Sequence, residues 1–567
     1  MLDVFFQLSL LILAALVISA VARILKQPLI IAYIFSGILI SIFFATDMRN
    51  ETIISFSQFG VAFLLFIVGL HLNPKVIKEV GFISLVLGLI QIAVTSGLGF
   101  FLASWLGFST MASLYIAFAL TFSSTIIVTK ILSDKSELDT LYGKIAVGIL
   151  IVQDLVVIFI LMILSYFSIG STSTISLNYI FYDIIAVISL IFASIYILPN
   201  ITKFVAKNQE LLFLFSVGWC FLLAALFYKL GFSMEIGALI AGISLSVSPY
   251  HTEISSKIRP LRDFFIIIFF IMLGLQIDLS SFSRIIKPAI ILSGFVILVK
   301  FFVLMISMGA SGYKKRTSFM TSISLVQISE FSFIMVLLGV SLGHIGSDIA
   351  SIVILTGIIT IVLSTYFTMF SNSIFRFASR FLNIFEKRKT REEKPKAKNH
   401  DFILFGYNRI GFSILQSFIA TGKKYIIVDF NPETIKKLQN KKINCIYGDA
   451  EDSELLEELG IKNAKLVVST IPDYEANHLI LTKIKNENKD CIVILNSHQI
   501  EHTFKLYDLG ADYVIMPHFL GGQYTSKLIE KFSTHKNFYV KEKEKQIENL
   551  KERLEEGHEH PRIEKHG

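Results

Sequence analysis

Charge is scarce in this sequence. Asp, Glu, Lys and Arg make up 17% of its 567 residues, against 53% hydrophobic residues, where an ordinary soluble domain is roughly 25% charged. That scarcity excludes an ordinary soluble enzyme. Three cysteines in so long a chain exclude a secreted disulfide scaffold. The net charge of +8 and pI near 9.0 would fit a nucleic-acid binder only if the charge were evenly spread. It is not. Residues 1–383 hold 22 Lys/Arg and 16 Asp/Glu, about one residue in ten, and residues 384–567 hold the other 30 and 28, nearly one in three. The first part is too apolar for water and the second has an ordinary cytosolic composition. The chain reads as a multi-pass α-helical membrane protein with a soluble C-terminal domain, and its basicity is no pointer to nucleic acid.

What the first part has in abundance is long apolar runs. A membrane helix needs about 20 mostly apolar residues. Breaking the sequence at Gly, Pro, Asn and charge clusters predicts thirteen: 4–22, 29–46, 53–72, 80–104, 111–132, 142–166, 178–198, 211–229, 233–249, 263–278, 287–309, 317–341 and 348–372. The first carries Asp3 with no basic flank or small-residue cleavage site, so it reads as a retained helix. With the N-terminus outside, 17 Lys/Arg fall in inside loops and 4 in outside loops. Twelve or fourteen helices would scramble that bias or put the soluble domain outside. The expected arrangement is N-terminus out, C-terminal domain in the cytoplasm, at the cell (inner) membrane.

A charge inside a span is costly and marks a candidate functional group. Asp154, Lys300 and Glu330 lie well inside, and Glu235 nearer an end. Asp154 and Lys300, in separate helices, could neutralise each other as a structural ion pair. Alternatively, Asp154 and the amide carbonyl of Gln153 supply adjacent oxygens of the kind a hard cation needs, and a carboxylate can trade its proton for that cation. The fifth span holds Ser123, Ser124 and Thr125 at mid-depth. Adjacent hydroxyls compete with the backbone for hydrogen bonds; they are either packing contacts between helices or an unwound crossing facing an ion. The twelfth span has a matching interruption at Gln327, Ser329 and Glu330. Paired interruptions point to a binding site between inverted repeats, with spans four to six matching eleven to thirteen.

In order and spacing, FLLFIVGLHLNP (63–74), FSSTIIVTKIL (122–132), ILIVQDLVVI (149–158), Lys300 and QISEFSF (327–333) resemble the Kef-type monovalent cation:proton antiporters. The resemblance implies an antiporter fold of inverted repeats, like that of NhaA and NapA. It implies a homodimer joined through spans one to three and eight to ten, and a moving core of spans four to six and eleven to thirteen. It further implies that Asp154 carries the ion, with Gln153 where other branches have a second carboxylate. The Gln-Asp pair resembles the potassium-efflux branch, so K⁺ in exchange for H⁺ is the first expectation and Na⁺ the alternative. The expected domains are an exchanger at 1–383, a charged linker at 384–400, a regulatory domain at 401–535 and a charged tail at 536–567.

After the linker, strands alternate with helical stretches: 402–405, 425–433, 443–450, 464–473, 491–497 and 511–517. That alternation predicts a doubly wound parallel sheet, an α/β Rossmann-like domain. Its first turn reads Gly406-Tyr-Asn-Arg-Ile-Gly411, with Asn408 where the phosphate-binding motif has its middle glycine. Arg409 could meet a phosphate, and Asp429 stands about 20 residues on, where a carboxylate binds ribose. Asp449 and the Ser469-Thr470 turn complete the rim. VVSTIPDYEANHLI (467–480) resembles the TrkA-N lobe of regulator-of-potassium-conductance (RCK) domains. The resemblance implies dimerisation and gating by an adenine nucleotide, AMP or NAD(H), at Gly406, Arg409, Gly411, Asp429, Asp449 and Thr470. A nucleotide-free dimerisation platform is the alternative. Glutathione gating is known in the Kef branch, but its residues have no match here.

Other features read as ordinary. His71 belongs to the membrane interface, and His558, His560 and His566 to a solvated tail, with no metal site expected. Cys445 and Cys491 are reduced residues on cytosolic strands. The basic stretch 248–263 is expected as an inside loop, and 541–556 as a charged helix with a thin apolar stripe. A channel would need a TVGYG-like filter; the nearest string, SGYKK (311–315), sits in a basic loop. No catalytic constellation accompanies the lobe, so no enzyme activity is expected.

Overall fold

The computed structural model describes residues 2–44, 51–71, 81–135, 137–138, 140–168, 198–229, 234–246, 248–277, 282–386, 400–450, 455–456 and 459–555. Apart from residues 139–141, the chain forms one compact unit over Met1–Lys389 and a second over Thr390–Gly567.

The described residues of the first unit form helices joined by turns. Its opening helices are α1 (Leu2–Ile24), α2 (Leu29–Phe44), α3 (Glu51–His71) and α4 (Gly81–Trp105). The fifth crossing is two helices, α5 (Thr110–Thr121) and α6 (Thr125–Asp134), and α7 (Leu141–Ser168) follows. The predicted seventh span lies outside the described residues up to Leu198, where the short α8 (Leu198–Val205) begins. Then come α9 (Gln209–Lys229), α10 (Met234–Ser246), α11 (His251–Gln276) and α12 (Phe282–Ala310). The twelfth crossing is again split, into α13 (Lys315–Ser324) and α14 (Glu330–Ser341), before α15 (Ser347–Met369) and α16 (Ser371–Leu382). Among the described residues, eight helical segments are long and apolar enough to cross a membrane, counting Thr110–Asp134 as one, and three shorter apolar helices join them in this unit.

One expectation is corrected. The stretch 248–263, expected as a loop, is helical from His251 onward and forms the first half of α11, with Pro260 inside the helix. Ile254 and Ile258 are buried, four residues apart on one face, while Thr252, Arg259 and Pro260 are exposed. A basic face concealed the helical stripe.

Close glycine contacts show the repeat in the helices outside the split pair. A Cβ at Gly37 on α2 would lie 2.9 Å from the Gly274 Cα on α11, and one at Gly69 on α3 would lie 3.0 Å from the Gly242 Cα on α10. Counting crossings as in the sequence, the second meets the tenth and the third meets the ninth. A shift of seven crossings converts one contact into the other, as inverted repeats require. Small residues let these backbones touch.

The second unit is a six-stranded parallel sheet of order β3-β2-β1-β4-β5-β6. Its strands are β1 (Phe402–Phe405), β2 (Tyr425–Asp429), β3 (Cys445–Tyr447), β4 (Leu466–Ser469), β5 (Ile492–Asn496) and β6 (Tyr513–Ile515). Each predicted strand is present, the first at its predicted bounds and the other five shorter than predicted. The helices are α17 (Ile410–Thr421), α18 (Pro432–Asn440), α19 (Tyr474–Glu487), α20 (Ile500–Asp508), α21 (Pro517–Phe532) and α22 (Lys536–Glu555). This is the dinucleotide-type doubly wound order, in which the strands run parallel and the strand order reverses between β1 and β4. Apolar β-branched runs such as YIIVD are buried because helices cover both faces of a parallel sheet.

Candidate functional site

The two split crossings meet. Between α5 and α6, Phe122 and Ser124 are extended (φ −80°, ψ 149° and φ −75°, ψ 115°), and Ser124 caps α6 by accepting from the Ile127 amide at 3.2 Å. Between α13 and α14, Ser329 (φ −98°, ψ 159°) caps α14 by accepting from the Phe331 amide at 3.2 Å. Serine is a strong N-cap, so the hydroxyl runs both break each helix and restart it. Ser123 Oγ donates to the Leu325 carbonyl at 2.8 Å, and Ser332 Oγ donates to the Ala119 carbonyl at 2.6 Å. These bonds lash the two interruptions together.

Lys300 is fully buried on α12. Its Nζ donates to the Phe122 carbonyl at 2.8 Å, the Gln327 carbonyl at 2.7 Å and Ser123 Oγ at 3.0 Å. The possible ion pair with Asp154 is corrected: among the described residues no contact within 4.0 Å joins them. The reason is local. Unwinding leaves backbone carbonyls without helical partners at the C-terminal ends of α5 and α13, where a cation is favoured, and the ammonium takes them.

Asp154, half-buried on α7, accepts from Thr125 Oγ1 at 2.9 Å. Gln153 beside it is buried, and its carbonyl accepts from the Ser123 amide at 2.8 Å. That oxygen, expected as an ion ligand, is therefore engaged in holding the unwound segment. The backbone donor also fixes which end of the amide points where. Gln153 Nε2 then donates to Gln91 Oε1 at 2.6 Å, and Gln91 Nε2 to the Thr121 carbonyl at 3.0 Å. The sequence reading missed Gln91; an amide in the apolar run GLIQIAV was the available signal. Glu330, buried at the first position of α14, receives a 3.3 Å hydrogen bond from Ser329. Gln327 is buried and its side-chain carbonyl accepts from Ser364. Thus Ser123, Ser124, Thr125, Gln153, Asp154, Lys300, Gln327, Ser329 and Glu330 converge on one place. Glu235 does not. It lines a separate cavity of about 450 Å³ with Gln58 and Gln276.

A larger cavity, about 740 Å³, runs beside α6 and is lined by Arg23, Lys26, Ile127, Lys130, Asp134 and Thr365. Its lining includes Ile126, the residue after Thr125 at the start of α6.

In the soluble unit, Gly406 has φ +84°, and a Cβ on Gly411 would strike the Gly406 carbonyl. Both glycines are thus demanded by the turn. Thr470 Oγ1 donates to the Gly406 carbonyl at 3.0 Å, closing the turn from β4. Asp429 at the end of β2 is buried, and its two oxygens accept from the Tyr407 and Asn431 amides at 2.9 and 2.8 Å. Burial pushes its pKa up, and the two amide bonds oppose that shift. Asp449 follows β3, half-buried, and the neighbouring Gly448 amide donates to the Asp429 carbonyl at 3.0 Å. Arg409 caps α17 with φ +50°, and its amide donates to Asn408 Oδ1 at 3.0 Å. The six residues expected at a nucleotide thus lie at the ends of β1 to β4, where such sheets bind ligands. Cys491 is buried and Cys445 half-buried.

A family model for the transmembrane sodium/hydrogen exchanger matches residues 11–370, and one for the TrkA-N domain matches 402–517. YbaL of Escherichia coli K12, described as a candidate cation/proton antiporter, is 26% identical over 533 residues, 88% of this chain and 93% of YbaL. The glutathione-regulated potassium-efflux system protein KefC of Escherichia coli K12 is 23% identical over 524 residues, 91% of this chain and 83% of KefC. Among solved structures, the sodium proton antiporter MjNhaP1 of Methanocaldococcus jannaschii is similar at 15% identity and a TM-score of 0.43, over 67% of this chain and 99% of that one.

Proposed function

Because the chain belongs to the transmembrane sodium/hydrogen exchanger family, we propose that it exchanges a monovalent cation, K⁺ first, for H⁺ across the membrane under the control of its TrkA-N domain. The observation that carries the exchange is Asp154: a half-buried carboxylate beside two interrupted helices, holding one hydrogen bond, from Thr125. Such a group can bind a proton or a cation in turn, using hydroxyl and carbonyl oxygens of the unwound segments. In this reading Gln153, Ser123 and Lys300 are positioning residues, and Ser124, Gln327, Ser329 and Glu330 shape the opposite wall. K⁺ is favoured by the Gln153-Asp154 pair and by relatives named for potassium efflux; the matching family is named for sodium.

The orientation proposed is N-terminus out and soluble unit in the cytoplasm, at the cell membrane, supported by the 17-to-4 distribution of Lys and Arg. The soluble unit is proposed to bind an adenine nucleotide, AMP or NAD(H). The Gly406–Gly411 turn would hold its phosphates at the start of α17, and Asp429, Asp449 and Thr470 its rim. The turn geometry fits a phosphate approach except at Asn408. A homodimer is proposed too, with Phe519, Tyr524 and Ile529 of α21 exposed on a helix that buries none of its own residues. Glutathione gating is not carried over from KefC.

Proton flux in inverted vesicles, on adding K⁺ or Na⁺, tests the exchange. A response to K⁺ greater than to Na⁺ is expected, and silence with both ions refutes antiport. Asp154→Asn should abolish the response while the protein still inserts; retained exchange removes Asp154 from the central place.

A further inference from the structure

The soluble unit carries a helix that the TrkA-N match, ending at residue 517, does not include. This helix, α22, brings Arg553 in its last turn back to the first turn of α17. Arg553 Nη1 donates to the Arg409 carbonyl at 2.9 Å and Nη2 to Ser413 Oγ at 2.5 Å, and the guanidinium lies 5.4 Å from the centre of the Phe412 ring. Residues 409, 412 and 413 share one face of a helix start, so three independent contacts fix one side chain there. A charged tail helix needs a reason to dock. Its first half is held to α21 by Phe538 stacked on Phe532 and by Tyr524 Oη donating to Glu542 at 3.0 Å. Ile547, Leu550 and Leu554 in its second half are exposed, so the apolar stripe does not hold that half. Arg553 does.

Its position bears on the defect at Asn408. In a phosphate-binding turn the middle glycine lets backbone amides approach the anion. Here Asn408 occupies that place, and its own Oδ1 takes up the Arg409 amide at 3.0 Å. The turn has therefore lost a donor to its own side chain. A guanidinium has five N–H donors in a planar fork, and Arg553 uses two of them. We propose that Arg553 is a phosphate-contacting residue of the nucleotide site, delivered by α22, which replaces the donor lost at Asn408 and couples docking of the C-terminal helix to nucleotide binding. The inference rests on the nucleotide-binding reading above. Bound phosphate would hold α22 in place through charge-assisted bonds.

The test uses the full-length protein in nanodiscs, with AMP, ADP and NADH as ligands and adenosine as the phosphate-free control. Arg553→Ala should weaken AMP and ADP binding about tenfold, the worth of one charge-assisted contact, and leave adenosine unchanged. Arg553→Lys should recover part of the loss, since charge is kept and the fork is not. An unchanged melting temperature without nucleotide shows that the unit still folds. Wild-type affinity for AMP in Arg553→Ala overturns the inference while sparing the nucleotide site. Tighter binding in that variant overturns it as well, since it would make α22 a cover rather than a contact. If the wild-type protein binds none of AMP, ADP and NADH, the nucleotide reading itself fails and takes this inference with it.

Discussion

Replacing Lys300 separates two accounts of the membrane charges. If Lys300 braces the interrupted helices, Lys300→Met leaves the Phe122 and Gln327 carbonyls, now bonded at 2.8 and 2.7 Å, buried without a donor. Each orphaned group costs about 1–3 kcal/mol, so the loss should be about 2–6 kcal/mol. If instead Lys300 were the counter-ion of Asp154, either single substitution would strand a buried charge, at about 3–5 kcal/mol each. The accounts then diverge at Asp154→Asn. The observed geometry predicts a small effect, because the asparagine carbonyl can still accept from Thr125 and no ammonium is abandoned. Melting of the purified protein in detergent, followed by fluorescence-detected size exclusion, measures both variants and their double. The expected pattern is a large loss for Lys300→Met, little for Asp154→Asn, and near-additivity in the double. A large loss for Asp154→Asn that the second substitution relieves would refute the brace and restore the ion pair.

Three further outcomes follow from particular contacts. Gly274→Val should cost about 1–3 kcal/mol or more by forcing α2 and α11 apart, and its repeat-related counterpart Gly69→Val, between α3 and α10, should behave alike, read as the yield of monodisperse protein. Burial raises the folded pKa of Asp429 above its ordinary 3.8, so the folded unit holds this proton to higher pH than the unfolded chain does. Its contribution to stability therefore falls as pH rises through the window above 3.8 and is flat beyond it, a slope that Asp429→Asn should remove from the pH dependence of melting. The Cys491 thiol, pushed up to about 11 by burial, should resist maleimide at pH 8 until the soluble unit unfolds.

Much of this was legible in the sequence because each feature there has a local cause. Hydroxyl runs break helices, so the interruptions at 122–124 and 325–329 could be read directly. Apolar runs between glycine and polar turns gave all six strands. What escaped was pairing across the fold. Lys300 looked for a carboxylate on paper and found backbone carbonyls, which no sequence displays until the helices that carry them unwind. Gln153 looked like a ligand because its amide has an oxygen, but a backbone amide at Ser123 claims that oxygen first. The basic face of α11 disguised its Ile254-Ile258 stripe as a loop. Arg553 was invisible because its partners lie 140 and 144 residues away, on a turn already assigned to another purpose.

The crossing also bears on why Asp154, of the three charges gathered there, is the one proposed to exchange. Two split helices create four inner ends, two with free carbonyls and two with free amides. Lys300 sits on carbonyls beside the first kind, and Glu330 opens α14 at the second, where an anion is favoured. Both are fixed by the backbone they serve: Lys300 through three hydrogen bonds, Glu330 by its place in the first turn beside the Ser329 cap. Asp154 differs. It belongs to an unbroken helix, is more exposed than either, and is held by a single hydroxyl that can turn away. A proton or cation arriving there displaces one hydrogen bond, whereas one arriving at Lys300 or Glu330 would have to undo the end of a helix. That asymmetry predicts that Thr125→Ala, which frees Asp154 while leaving the Ser124 cap of α6 in place, changes apparent cation affinity in the vesicle assay more than it changes the melting temperature. The reverse ranking would mean that Thr125 serves the fold and that Asp154 is as fixed as its neighbours.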